Sequence, residues 1–212
     1  DMARQKPNVD KMHLLGATVI AVTEGDKTLK SAVNAALRDF VATFEKTYYC
    51  LGSALGPYPY PAMVAFFHRV IGEEARQQCL SKTGCLPDSV LACIGGGSNA
   101  IGIYQSFLSD TDVKLYGIEA AGKGLHTQAH SAKIEKGRPG VLHGCYSYVL
   151  QDEYGQIQPT HSISAGLDYP MIGPQHAQLF DEGRVKYVSA DDQSVLEAFK
   201  MVMVKLTAPI TA

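Results

Sequence analysis

The spacing of apolar and polar residues changes several times along the chain. Ala17-Thr18-Val19-Ile20-Ala21-Val22 reads as a short buried strand. From Asp26 to Lys46 the repeat becomes helical, with Leu29, Val33, Ala36, Leu37 and Phe40 on one face. Thr28 or Asp26 is placed to cap that helix. The β-branched and aromatic residues of Thr47-Tyr48-Tyr49-Cys50-Leu51 predict a second strand. A turn-rich stretch from Gly52 to Pro61 follows. Pro61 then suits the first turn of a helix reaching about Lys82, whose apolar face is Met63, Val64, Phe66, Phe67, Val70 and Ile71.

Ser89 to Ile94 is continuously apolar after its first residue and predicts a strand. It runs straight into Gly95-Gly96-Gly97-Ser98-Asn99-Ala100 and a helix over 99–108. A strand is expected over Val113–Glu119, and a loop-rich region without periodicity over 120–162. Beyond it, a short helix is expected over Pro174–Glu182 and a strand over Arg184–Ser189. The final helix, Asp191–Lys205, has Leu196, Phe199 and Met203 inward and Asp191 or Asp192 as cap. Strands alternating with helices predict an α/β fold with a largely parallel sheet.

Composition adds exclusions. With 212 residues, 46% hydrophobic and 19% charged, the chain has the make-up of a globular protein with a real core. A net charge of −2 gives no electrostatic reason to expect nucleic acid or an anionic membrane as partner. No apolar run approaches the roughly 18–20 residues of a membrane span, and Asp1 to Gln5 is not the start of a secretory leader. Cys50, Cys79, Cys85, Cys93 and Cys145 are odd in number and contain no Cys-x-x-Cys pair. Buried reduced thiols in a cytoplasmic protein are expected, rather than disulfides or zinc.

Three stretches carry candidate chemistry. Gly95-Gly96-Gly97-Ser98-Asn99 is glycine-rich and opens a helix. Backbone without side chains approaches a ligand closely, and the unpaired N–H groups of a helix start, with the Ser98 hydroxyl, suit a phosphate. No Gly-Lys-Ser/Thr follows, so it is not a Walker loop, and the last glycine of G-x-G-x-x-G is absent. The alternative is a tight strand-to-helix turn capped by serine. His161-Ser162-Ile163-Ser164-Ala165-Gly166-Leu167-Asp168-Tyr169-Pro170 reads either as a functional loop or as a surface connection. Gly52 to Pro61 alone says only that the chain turns.

Together these stretches resemble tryptophan synthase β subunits. So do Thr28-Leu29-Lys30, Asn34 through Asp39, Ile71-Gly72-Glu73-Glu74, Gly117 through Gly124, Gly140-Val141-Leu142-His143-Gly144, Gly173-Pro174-x-His176-Ala177 and Glu197-Ala198-Phe199. The glycine turn is also expected in cysteine and threonine synthases; the Ser162–Pro170 block separates them. The resemblance implies the type II fold of pyridoxal-phosphate (PLP) enzymes, here incomplete. It also implies a carbon–oxygen lyase of tryptophan biosynthesis joining indole to L-serine with release of water. Residues 1–52 would belong to an N-terminal lobe with a mobile communication subdomain. Residues 53–212 would form the hinge and most of the C-terminal lobe. By the same resemblance Gly95, Gly96, Gly97, Ser98 and Asn99 cradle the PLP phosphate and Ser53 lies beside the cofactor. Asp168 pairs with Arg4 when the site closes, although Asp168 alternatively caps a turn. The carbonyls of Gly95, Tyr169 and Met171 hold a monovalent cation, sodium or potassium. Leu142 and His143 lie near an indole tunnel, while His161 and His176 are structural. Implied partners are an α subunit and a second β subunit.

The family's cofactor-bearing lysine sits in a His-Lys-Thr-Asn motif, and no His-Lys pair occurs in these 212 residues. Lys205 to Ala212 also departs from the family's Gly-Ile-Ile-Pro-Ala-Leu-Glu continuation. The chain is therefore expected to be inactive alone. A non-catalytic module retaining the phosphate turn and another type II lyase are the competing readings.

Overall fold

The computed structural model describes the backbone of residues 1–207 and side chains as far as Met203; of the divergent tail, 208–212 lie outside the described residues. In chain order the elements are helices α1 (Lys6–Leu14), α2 (Leu29–Thr43), α3 (Tyr60–His68) and α4 (Val70–Thr83), strand β1 (Ser89–Ile94), helix α5 (Ser98–Tyr104), strand β2 (Lys114–Gly122) and helix α6 (Lys133–Lys136). Strands β3 (Arg138–Leu142) and β4 (Cys145–Val149), helix α7 (Pro174–Asp181), strand β5 (Val185–Asp191) and helix α8 (Asp192–Thr207) complete the set.

Strands β1, β2 and β5 form a parallel sheet in the order β1-β2-β5, and β3-β4 is an antiparallel hairpin. The register aligns Ile94 with Glu119 and Glu119 with Ser189, so these three residues stand side by side near the C-terminal edge. Open parallel sheets bind ligands at that edge. The main core packs Val90, Ile94, Leu115 and Val185 of the sheet against Ile101, Tyr104 and Phe107. Arg184 fixes the start of β5 by donating to the carbonyls of Phe107, Leu108, Asp110 and Val113.

Several expectations need correction. Residues 17–22 and 47–51 form no regular secondary structure and join no ladder among the described residues. A strand is made by its hydrogen-bonded neighbour as much as by its own sequence, and here Ile20 and Tyr48 stand 82% and 78% exposed. Tyr49 is held by its side chain instead, its ring stacked on Phe40 and edge-on to Tyr60. The helix expected over 61–82 divides at Arg69 into α3 and α4. Arg69 keeps right-handed helical angles, so nothing in the sequence marks the break. Of the expected apolar face only Val64 is buried, while Phe66, Phe67, Val70 and Ile71 stand exposed. The loop-rich 120–162 contains the β3-β4 hairpin, closed by His143 and Gly144 at φ +52 and +71. Positive φ at both turn residues is the geometry that matches strand twist, and a residue-Gly pair between two apolar runs is its signal. Thr28 stands at the start of α2 without capping it through its side chain. Asp26 accepts instead from the Thr28 amide and hydroxyl and from Ser31. Asp191 caps α8 through the Ser194 amide at 2.9 Å. None of the first 50 residues is buried.

Candidate active site

Strand β1 ends at Ile94 and the glycine turn passes directly into α5, with Gly97 at φ +93 as the residue before the helix. Each turn residue is tied to a different neighbour. The Ser98 hydroxyl accepts the Ala54 amide at 2.7 Å and lies 3.0 Å from the Ser53 hydroxyl, which laces the Gly52–Pro61 loop to the turn. Asn99 reaches back to the Cys93 carbonyl at 3.2 Å. The Gly96 carbonyl accepts the Gly173 amide at 2.9 Å. The Gly97 carbonyl lies 2.6 Å from His176 Nε2. Since a carbonyl only accepts, Nε2 carries the proton, and Nδ1 is left to accept from the Tyr187 hydroxyl at 2.8 Å.

Burial pushes the His176 pKa down to about 4, against the upward pull of the Gly97 carbonyl. The ring is therefore neutral in the folded protein at pH values where an unfolded chain binds a proton. Below the ordinary histidine value of about 6.5, unfolded chain takes up a proton that folded chain refuses. Stability should fall as pH drops from about 6.5 towards 4, by about 3 kcal/mol from this group. Denaturant unfolding across that range, repeated with His176→Gln, checks it; an unchanged slope in the variant assigns the loss elsewhere.

The His161–Pro170 loop packs against the turn. A Cβ on Gly95 would stand 2.2 Å from the Gly166 carbonyl oxygen, so the two backbones touch. Arg4 Nη1 donates to Asp168 Oδ2 at 2.7 Å and its Nη2 to the Ser162 carbonyl at 2.7 Å. Asp168 Oδ1 is buried with no hydrogen-bond partner among the described residues. A cavity of about 280 Å³ beside it is lined by Asp26, Thr28, Lys30, Gln158, Thr160 and Asp168, among others. The base of the loop is held by Asp192, which faces His161 Nε2 at 3.0 Å and so does not cap α8.

His143 and Tyr169 are buried together, with Nδ1 against the phenol and the rings stacked at 6.0 Å. Desolvation lowers the histidine pKa and raises the phenol's. Leu142 packs in the same cluster as Leu55, Val149, Tyr169 and Met171. His161 faces the Asp192 carboxylate, and His176 lies between the Gly97 carbonyl and the Tyr187 hydroxyl. Of the five cysteines, all free, only Cys145 is buried, while Cys50, Cys85 and Cys93 are exposed. Position along an apolar strand does not settle which side of it the protein covers.

Sequence reasoning missed Lys133 and Glu119. Both are buried, with side chains 0% and 1% exposed. The Glu119 carboxylate accepts the Lys133 and Ile134 amides, each at 2.9 Å, and so binds the start of α6. Lys133 Nζ lies 3.5 Å from Glu119 Oε1 and 3.3 Å from the Ile94 carbonyl. Burial pushes the lysine's pKa down and the carboxylate pulls it back up. A lone lysine in Ser131-Ala132-Lys133-Ile134 gives no sign of this in the sequence.

A glycine-rich turn at the C-terminal edge of a parallel sheet, leading into a helix and braced from two sides, marks the candidate ligand edge of an α/β protein. The donor set fits a phosphate: backbone N–H groups at a helix start beside the paired hydroxyls of Ser53 and Ser98. The family model described as "Pyridoxal-phosphate dependent enzyme" matches residues 2–206, and the chain belongs to that family. It is 56% identical over 201 residues to the tryptophan synthase beta chain of Methylobacterium nodulans, covering 95% of this chain and 50% of the relative. The chain thus spans about half the length of the curated relative it matches. Its fold is similar to that of diaminopropionate ammonia lyase from Escherichia coli, at TM-score 0.54 and 18% identity, over 87% of this chain and 41% of that one. The expected α/β fold of PLP enzymes is therefore present, with a three-stranded parallel sheet.

Proposed function

We propose that the chain is part of a tryptophan synthase β polypeptide, a lyase that joins indole to L-serine and releases water. The observation that carries this reading is 56% identity along 95% of the chain. Pyridoxal phosphate, when bound, supplies the electron sink for chemistry at the amino acid's carbon skeleton. The residues present have four tasks in this reading. The backbone of Gly95 to Asn99 and the Ser53 and Ser98 hydroxyls hold the phosphate. The neutral His176, itself held by Tyr187, keeps the Gly97 carbonyl from turning into the anion's place. Arg4 and Asp168 hold the Ser162–Pro170 loop down, which excludes water from the reacting centre. The buried His143 and Tyr169, with Leu142, form an apolar wall suited to indole.

Residues 1–52, none of them buried as far as Cys50, would belong to the N-terminal lobe with its mobile communication subdomain. An α subunit and a second β subunit are the proposed partners. Leu14, Leu15, Ile20, Phe67 and Leu91 support that reading, because each is more than 60% exposed and calls for further protein. A cytoplasmic setting agrees with five free thiols. The resemblance alone implies a monovalent cation at the Gly95, Tyr169 and Met171 carbonyls. Of these, Tyr169 already accepts the Ser131 hydroxyl at 2.7 Å.

The 212-residue chain should bind PLP without a covalent link and form no tryptophan from indole and serine. The natural polypeptide of its source, sized by mass spectrometry, should be about twice as long and should form it. Turnover by the 212-residue chain overturns the inactivity; a natural polypeptide that binds PLP yet forms no tryptophan overturns the assignment.

A further inference from the structure

A lysine without solvent contact needs a reason, because a buried ammonium is costly unless it is paired and hydrogen-bonded. Lys133 is 0% exposed, and its ammonium lies 3.3 Å from the carbonyl of Ile94, the last residue of β1. Gly95 follows immediately. Two residues before Lys133, the Ser131 hydroxyl donates to the Tyr169 carbonyl at 2.7 Å. The segment 131–133 therefore donates to the Ile94 and Tyr169 carbonyls, the first next in sequence to Gly95 and the second itself one of the three carbonyls at which the resemblance places a monovalent cation. We infer that the Lys133 ammonium is the cation of this site, so that the chain carries its own positive charge there and binds neither sodium nor potassium.

The charge count supports this. Glu119 is the buried carboxylate at the ammonium, and it balances one cation. Asp168, the other acid of the neighbourhood, already carries Arg4. A second cation beside the ammonium would meet like charge with no carboxylate left to offset it. An ammonium also suits the place chemically, since it points N–H groups at carbonyl oxygen as a metal ion accepts its lone pairs. The inference rests on the surroundings of Lys133 and is independent of the substrates proposed above.

Thermal unfolding at one ionic strength in sodium, potassium, caesium and tetramethylammonium chloride tests it, with thallium-205 resonance as a direct probe of ion binding. The wild-type chain should unfold at the same midpoint in every salt and show no saturable thallium binding. Lys133→Ala, which removes the ammonium and leaves room, should unfold lowest in tetramethylammonium. It should regain stability with a saturable, size-selective response to one of the small ions. Ion-selective stabilisation or saturable thallium binding in the wild type overturns the inference, as does a folded Lys133→Ala without ion preference. If that variant folds in no salt, Lys133→Met, which fills the space without charge, takes its place: it should bind no thallium and show no ion preference, and a selective response in it counts against the proposal.

Discussion

Gly97→Ala should destabilise the protein by about 4 kcal/mol and abolish phosphate binding at the turn. Two costs add. The residue sits at φ +93, where an L side chain is strained by about 1–3 kcal/mol. Its new Cβ would also stand 2.3 Å from Cδ2 and Nε2 of His176. That ring cannot step aside cheaply, because it is 1% exposed and held by the Gly97 carbonyl on one side and the Tyr187 hydroxyl on the other. Forcing atoms into such a site costs about 1–3 kcal/mol more. Gly183→Ala is the control: φ is +68, but nothing lies within 4 Å, so only the strain remains. Denaturant midpoints and inorganic phosphate titration of both variants measure the difference. Equal losses would mean that His176 yields, and that its brace on the turn is weak.

The same turn shows what the sequence carried and what it did not. Strand β1 was legible from six residues of apolar run, and the glycines after it marked a close approach. Sequence reasoning placed the ligand as what the glycines approach. In the structure a Cβ on Gly96 would meet protein first, the Leu55 side chain at 2.7 Å and the Ser53 hydroxyl at 2.9 Å. Gly96→Val therefore disturbs the lacing between loop and turn before it reaches any anion. The brace from His176 lies 79 residues along the chain from Gly97, and no local pattern announces a contact of that span. The Arg4–Asp168 pair, 164 residues apart, was placed by resemblance alone. Helices α2, α7 and α8 follow from their periodicity, but of the three only α7 buries any of the described residues, His176 and Leu179. Leu196, Phe199 and Met203, expected to face inward from α8, stand exposed, because no neighbouring element among the described residues covers that stripe. Segments 17–22 and 47–51 do not become strands, because composition cannot supply the neighbouring strand. Hairpin β3-β4 was missed for a different reason. Arg138 and Pro139 are both exposed and break the alternation on which a strand is recognised.

Glu119→Ala should be the most damaging single change at the sheet's C-terminal edge, costing about 3–5 kcal/mol. The carboxylate does three things at once: it accepts two amides at the start of α6, each at 2.9 Å, and it faces the ammonium of Lys133 at 3.5 Å. Removing it leaves a buried positive charge beside two N–H groups that lose their acceptor. Because α6 carries Glu135, whose carboxylate accepts the Ser189 hydroxyl at 2.8 Å, loosening α6 also frees the last residues of β5. The charge part separates from the hydrogen-bond part in a double-mutant cycle. Glu119→Gln keeps the size of the side chain and removes the charge; Lys133→Met removes the ammonium and keeps most of the packing. If the pair is an ion pair that tolerates burial only because both members are present, the double variant should be less stable than wild type by clearly less than the sum of the two singles. The coupling should be about 1–3 kcal/mol. Strict additivity in denaturant unfolding would sink that account. It would mean that Glu119 acts on the backbone of α6 alone and that Lys133 is held by the Ile94 carbonyl without help from the carboxylate.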